Sequence, residues 1–276
     1  MPMNNFTKRT ITGGAYVIAV VSAIMFNPII LSAFFGLVAL ISLYEFYKNS
    51  KIKDIFAQNI LGFSLAITTY LSFALKAFEI DNKYAIALSL LLVFLIFIIE
   101  LYNKKGNPFT NIAYTILGIV YIVIPMGLTN FIVNPSLTTN TFIPILLLSI
   151  FILAWCNDTF AYLVGVKFGK NRLFERISPK KSWEGFFGGF VAVQIASIIL
   201  YKFTITPLMF FDFMIMGALV SIIGTYGDLV ESMFKRQMGV KDSGNILPGH
   251  GGFLDRFDII FFIIPFIFTY LFLRLN

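Results

Sequence analysis

The chain has 276 residues, 58% of them hydrophobic and 13% charged, with 33 phenylalanines and a formal net charge of +7. A soluble domain is about half apolar and a quarter charged, so this composition excludes a water-soluble fold. The even spread of phenylalanine excludes a soluble domain on one anchor, and lipid is the expected solvent for most of the structure.

The chain opens with Lys8-Arg9 and an apolar stretch, like a secretory signal. No small-residue cleavage site follows and a second apolar run begins at once, so a retained first helix is expected. Nine mostly apolar runs are long enough to span, near residues 10–26, 28–47, 55–75, 84–101, 110–133, 142–166, 185–201, 208–230 and 256–274. Asn27-Pro28 marks the first tight turn, because a residue before proline is pushed out of helical geometry. Open strands have no place in hydrocarbon, so the fold class is an all-α, polytopic integral membrane protein. Of the 21 basic residues, only Lys76, Lys83, Lys202 and Arg274 fall in segments on one side. The positive-inside rule therefore puts the N-terminus in the cytoplasm and the C-terminus on the opposite side of a cytoplasmic (inner) membrane. The net positive charge then faces anionic headgroups or a nucleotide. No nucleic-acid partner is expected.

Function divides the chain into residues 1–140, expected as scaffold with candidate dimer contacts, and residues 141–276, expected to carry a cytoplasm-facing site. The early acids Glu45, Asp54, Glu79, Asp81 and Glu100 read as interfacial. In LAWCNDTFAYLVG, Asp158 shares a helix face with Ala161, Gly165 and Gly169, which allows close approach by a helix or a ligand. A buried polar contact between helices and a ligand-facing carboxylate are both consistent with that pattern. Cys156, the one cysteine, reads as packing.

The loop KFGKNRLFERISPKKSWEG follows. Its Gly165-to-Asn171 stretch imitates a P-loop but is one residue short and lacks the metal-binding hydroxyl, so it reads as a helix exit. Lys180 and Lys181 stand between Ser178-Pro179 and Ser182, a predicted N-cap whose following amides favour an anion. The other basic residues of the loop serve equally well as topology signals.

In SIIGTYGDLVESMFKRQ, residues Ser221, Gly224, Thr225, Asp228, Glu231, Ser232 and Lys235 form one polar stripe. Lipid cannot solvate that face, so it lines an enclosed or water-filled cavity or a polar zipper. The last span opens with HGGFLDRFD, where Asp255 and Asp258 lie three apart. That pattern suits a helix start, since acids there accept from free amides and oppose the dipole. Together with Asp228, the pair also offers hard oxygen ligands for Mg²⁺. The glycine-rich segment between Lys235 and Arg256 permits close approach to phosphate, with Gly251 and Gly252 beside His250 as ligand contacts. One histidine and one distant cysteine exclude a zinc site.

Residues 232–258, SMFKRQMGVKDSGNILPGHGGFLDRFD, resemble the defining motif of the bacterial phosphatidate cytidylyltransferases. They keep the Ser-x-x-Lys-Arg start, Lys241-Asp242, the Pro248-Gly-His-Gly-Gly core and Asp255-Arg256-x-Asp258. Asp158 with Ala161-Tyr162, and the run from Ile177 to Gly185, are similar too. The resemblance implies transfer of CMP from CTP to phosphatidate with release of pyrophosphate, aided by Mg²⁺, by K⁺ in some cases, and by dimerisation. Carried across, Asp228 and Asp255 are metal ligands, Asp258 supports them as a further metal carboxylate, and Asp158 supports the substrate side. Lys180, Lys181, Lys235, Arg236, Lys241 and Arg256 would hold the triphosphate or lipid phosphate.

The chemistry agrees with those roles. A phosphate monoester has its second pKa near about 6, so the lipid nucleophile is largely ionised and needs no general base. Two polyanions must meet, which calls for cations. A CTP-dependent lipid kinase and a transporter remain as other readings; the first needs a base for an alcohol, and the second leaves the glycine-rich block unexplained.

Overall fold

The computed structural model describes residues 5–134, 142–246 and 251–275. Its helices are α1 (Asn5–Phe26), α2 (Pro28–Ser50), α3 (Asn59–Ala77), α4 (Lys83–Glu100), α5 (Pro108–Gly118), α6 (Ile124–Ile132), α7 (Pro144–Phe168), α8 (Trp183–Phe203), α9 (Phe210–Met238) and α10 (Leu254–Leu275). Among the described residues, eight helical segments are long and apolar enough to cross a membrane, and Thr10–Phe26 is a shorter apolar helix. These match the expected spans in order and place.

Local chemistry explains the boundaries. Asn27 caps α2 by accepting from the Ile30 amide at 2.8 Å, and Pro28 occupies the first turn, where a missing N–H costs nothing. Asn107 and Pro108 repeat the device at α5, with the Thr110 amide 3.2 Å from the Asn107 side chain. Between α5 and α6 the span widens into a π segment, Ile119–Val123. Pro125 lies two residues beyond it; it has no amide, and its ring would strike the carbonyl four residues back, which a wider turn relieves.

One feature departs from an all-helical chain. Strands β1 (Arg172–Phe174) and β2 (Ser178–Ser182) form an antiparallel hairpin with Arg172 opposite Ser182 and Phe174 opposite Ser178. It lies between two spans, where water can satisfy its edges, so the exclusion of strands from hydrocarbon still holds.

The chain forms two compact units, Met1–Phe131 with Gln237–Phe257, and Ile132–Arg236 with Asp258–Asn276. In the first, α2 is central. The Tyr47 hydroxyl donates to the Thr115 carbonyl at 2.7 Å and Tyr70 donates to Ser32 at 2.6 Å, while Phe35 and Phe46 are fully buried. Two early acids are not interfacial as expected. Glu45 and Glu100 are 1% and 2% exposed. Glu100 accepts from Asn111 at 2.7 Å and Asn103 at 2.9 Å, so amide donors replace the water it would otherwise need.

In the second unit α7 and α8 run in close contact. A Cβ at Gly185 would stand 2.7 Å from the Ala161 carbonyl, and one at Gly189 would stand 2.9 Å from Asn157 Oδ1. Small residues thus set the helix spacing. At the other end of this unit, Asp212 on α9 accepts from the Met209 amide at 2.7 Å and from Arg274 Nε on α10 at 3.1 Å.

In a Cys156→Ser background, Glu175→Cys and Ile205→Cys introduce single thiols beyond opposite ends of α8. We expect a membrane-impermeant maleimide to reach Glu175→Cys from the cytoplasmic face and Ile205→Cys from the other. Reaction of both from one face would exclude α8 as a span.

Candidate active site

The polar stripe predicted on the eighth span is real and lies on α9 of the second unit. Its upper part is satisfied internally: Ser221 donates to Asn157 Oδ1 on α7 at 2.9 Å, and Thr225 donates to the Ser221 carbonyl at 2.7 Å. Below it the stripe becomes ionic. Asp228 pairs with Lys181 and accepts from Ser232 at 3.2 Å, and the fully buried Glu231 pairs with Lys235.

Glycine lets α10 close on this face. A Cβ at Gly227 would stand 2.7 Å from Phe262 Cβ, and one at Gly224 would stand 2.9 Å from Ile259. The approach brings in Asp258, whose Oδ1 accepts from the Ile259 amide at 2.8 Å. Carboxylate oxygens of Asp228, Glu231 and Asp258 all lie within 4.8 Å of one another. Asp158 and Lys235 are further charged neighbours of Asp258. Like charges at this spacing repel strongly where water is scarce, so a nearby cation or a bound proton has to offset them.

The hairpin supplies the opposing charge. Ser182 caps α8 as expected, accepting from the Gly185 amide at 3.2 Å. Glu184, one residue into α8, fixes the loop by accepting from the Lys170 amide at 3.1 Å and from Asn171 Nδ2 at 2.8 Å. The P-loop-like stretch is a helix exit, with the Gly169 amide donating to the Gly165 carbonyl at 3.0 Å. A Cβ at Gly169 would collide with that carbonyl and approach Ser182 Oγ. Lys181 is thereby held beside the cap.

These elements enclose a cavity of about 600 Å³ whose walls include Asp158, Arg172, Lys180, Lys181, Ser182 and Asp228. That volume suits a small-molecule ligand. Apolar walls from Tyr162, Val166, Leu173 and Phe186 adjoin the charged ones. The cavity can thus hold a polyanion on one side and hydrocarbon on the other.

Other expected site residues are not among those lining this cavity. Ser178 sits in β2, Arg236 is exposed near the end of α9, and Lys241 is exposed in the following loop. His250 lies outside the described residues. In the first unit, Asp255 Oδ2 accepts from the Ser243 amide at 2.8 Å, Ser243 Oγ at 2.9 Å and the Gly252 amide at 2.8 Å. Asp255 thus ties the glycine-rich loop to the start of α10, the helix-start role its spacing allowed. Gly251, at φ +81°, provides the left-handed turn there, and the Arg256 carbonyl accepts from Tyr16 at 3.3 Å.

Glu231 was missed as a site candidate, and the burial of Glu45 in the first unit was missed as well. Glu231 stood in the stripe three residues after Asp228, a spacing that puts both on one helix face, yet it was not counted among the metal ligands. Glu45, whose Oε2 accepts from Ser243 Oγ at 3.2 Å and the Leu254 amide at 2.9 Å, carried no local signal.

Residues 7–274 match the cytidylyltransferase family. A phosphatidate cytidylyltransferase of Staphylococcus haemolyticus is 34% identical over 255 residues, covering 90% of this chain and 94% of its own length. One from Bacillus subtilis is 31% identical over 266 residues, covering 96% and 97%. One from Staphylococcus aureus is 33% identical over 255 residues, covering 90% and 94%. A match over nearly the whole chain joins the helices of the first half to the motif-bearing second half, and the chain belongs to the cytidylyltransferase family.

Proposed function

We propose that this multi-pass membrane protein transfers CMP from CTP to phosphatidate, forming CDP-diacylglycerol and pyrophosphate at the cytoplasmic face of the inner membrane. The observation that carries the reading is the grouping of Asp228, Glu231 and Asp258 beside Lys181 and Lys235, with Asp228 and Lys181 in the wall of the cavity. The relatives named for this activity support it.

The grouping fits Mg²⁺ by donor chemistry, since three carboxylates offer hard oxygens and their mutual repulsion calls for a compact cation. Asp228, Glu231 and Asp258 would hold the ion, with Asp255 a further carboxylate for catalysis or metal. Bound there, Mg²⁺ supplies charge neutralisation for the triphosphate. K⁺ as a second cation and a homodimer are proposed on the family resemblance. A single-copy mass in detergent would reject the dimer.

The chain's own groups do the rest. Lys180, Lys181 and Arg172 present cations to phosphate oxygens, and the amides opening α8 add their dipole. Lys235, Arg236, Lys241 and Arg256 remain proposed phosphate contacts, with His250, Gly251 and Gly252 in the loop and Ser178 in the hairpin. An ionised phosphatidate oxygen forms a bond to the α-phosphorus of CTP. The bond from that phosphorus to the bridging oxygen breaks, and pyrophosphate leaves with the electron pair. No proton must be removed from the nucleophile, so carboxylates are better used as cation holders than as bases.

Label at the α-phosphorus of CTP should enter lipid and label at the γ-phosphorus should leave in pyrophosphate. A CTP-dependent lipid kinase would send γ label into lipid and release CDP, and that result would overturn the proposal. For the carboxylates, Asp228→Asn and Asp258→Asn should each lower kcat by about 10²–10³-fold, the scale of losing a charge-stabilising group. Both variants should also weaken Mn²⁺ binding followed by electron paramagnetic resonance, while the melting temperature in detergent stays near the parent's. Parent-like Mn²⁺ binding by either variant would remove that residue from the metal site.

A further inference from the structure

The first half of the chain holds a buried carboxylate that the proposed chemistry does not use. Glu45 lies inside α2, 1% exposed. Its Oε2 accepts from the backbone amide of Leu254, the first residue of α10, and from Ser243 Oγ. One turn further along α2, Asn49 Nδ2 donates to the Ser243 carbonyl at 2.8 Å. Residues four apart share a helix face, so α2 presents an acceptor and a donor side by side.

Ser243 is held from every polar atom. Its amide donates to Asp255, its hydroxyl shares one proton between Asp255 and Glu45, and its carbonyl accepts from Asn49. Ser243 is therefore the node through which α2 reaches Asp255. The glycines around it follow the same logic. A Cβ at Gly244 or at Gly252 would collide with the Glu45 carboxylate, so their lack of a side chain serves this acid as well as any phosphate. The Phe253 backbone also interacts favourably with the Glu45 carboxylate. An apolar side chain at this position would leave the Leu254 amide without its acceptor.

We infer that Glu45 is a positioning residue for cytidylyl transfer: from α2 it sets the glycine-rich loop and, through Ser243, the Asp255 carboxylate. The inference rests on the CMP-transfer reading and on Asp255 as one of its working carboxylates. Displacement of a reacting group by about 1 Å can cost roughly a hundredfold in rate, so an anchor that touches no substrate still governs turnover.

The test compares Glu45→Ala and Glu45→Gln with Glu100→Gln, which alters another buried, hydrogen-bonded carboxylate of the same unit. Three quantities are read on purified full-length protein: kcat for α-labelled CMP transfer, melting temperature, and hydrogen exchange of the Ser243, Gly252 and Leu254 amides. Glu45→Ala should lower kcat about a hundredfold with KM for CTP within about threefold, and speed exchange at those amides at least tenfold. Glu45→Gln keeps one oxygen for the Leu254 amide and should regain only about tenfold of the lost kcat, staying about tenfold below the parent with faster exchange at the same amides. Glu100→Gln should shift the melting temperature as much as Glu45→Gln does and leave kcat unchanged. Should Glu45→Ala fail to fold, Glu45→Gln still decides, since equal kcat and equal exchange to the parent would overturn the inference. Faster exchange in Glu45→Ala with parent-like kcat would also overturn it. A parent protein that transfers no CMP, yet shows the exchange change, would instead overturn the functional reading.

Discussion

Hydrocarbon offers neither a hydrogen bond nor a counter-ion, so every ionised group within these spans must find its partner inside the protein. The carboxylates of α9 and α10 follow from that constraint. Asp212 is met by Arg274, Asp228 by Lys181, and Glu231 by Lys235. In the first unit Glu100 is met by asparagines, and Glu45 by a serine and a helix amide. A stripe of such residues therefore both builds the fold and gathers charge. In the proposed reaction, substrate and cation would offset the cost of burying it.

Close approach is the second requirement, and glycine meets it in three places. Gly185 and Gly189 bring α8 onto α7, Gly224 and Gly227 bring α10 onto α9, and Gly244 and Gly252 let the loop lie against Glu45. Each removes a side chain where another group needs the space. Without Gly227 and Gly224, α10 could not bring Asp258 this near Asp228. Without Gly169 and Gly185, the Ser182 cap and the lysines before it would be displaced from α7 and its Asp158.

Electrostatics then accounts for the chemistry. Joining two polyanionic phosphates requires positive charge arranged beforehand, and the hairpin lysines provide it at the wall of a cavity that also carries apolar side chains. Lys181 is held by Asp228, and in the proposed reaction it would exchange that carboxylate for a phosphate oxygen. Under the proposed reaction the acids would hold cations and the lysines would meet phosphates, and no general base is required because the lipid phosphate arrives ionised.

Much of this was legible in the sequence, because membrane spans are long local patterns and caps act within four residues. The helix order, the Asn27-Pro28 turn, the Ser182 cap and the polar stripe of α9 all follow from local spacing, and the 27-residue motif block carried the family. The hairpin was missed, since three- and five-residue strands leave no periodicity to detect in a basic loop. Glu231 was visible on the right face, but no spacing rule could say that Asp258, on another helix, would stand near it. Glu45 read as one more interfacial acid, and its partners lie about two hundred residues away. Periodicity and caps are fixed by neighbours in the chain, so the sequence by itself determined the spans, their ends and the polar face. Which carboxylates share one site, and that the second helix holds the loop before α10, depend on side chains brought together by packing, which only the tertiary structure decided.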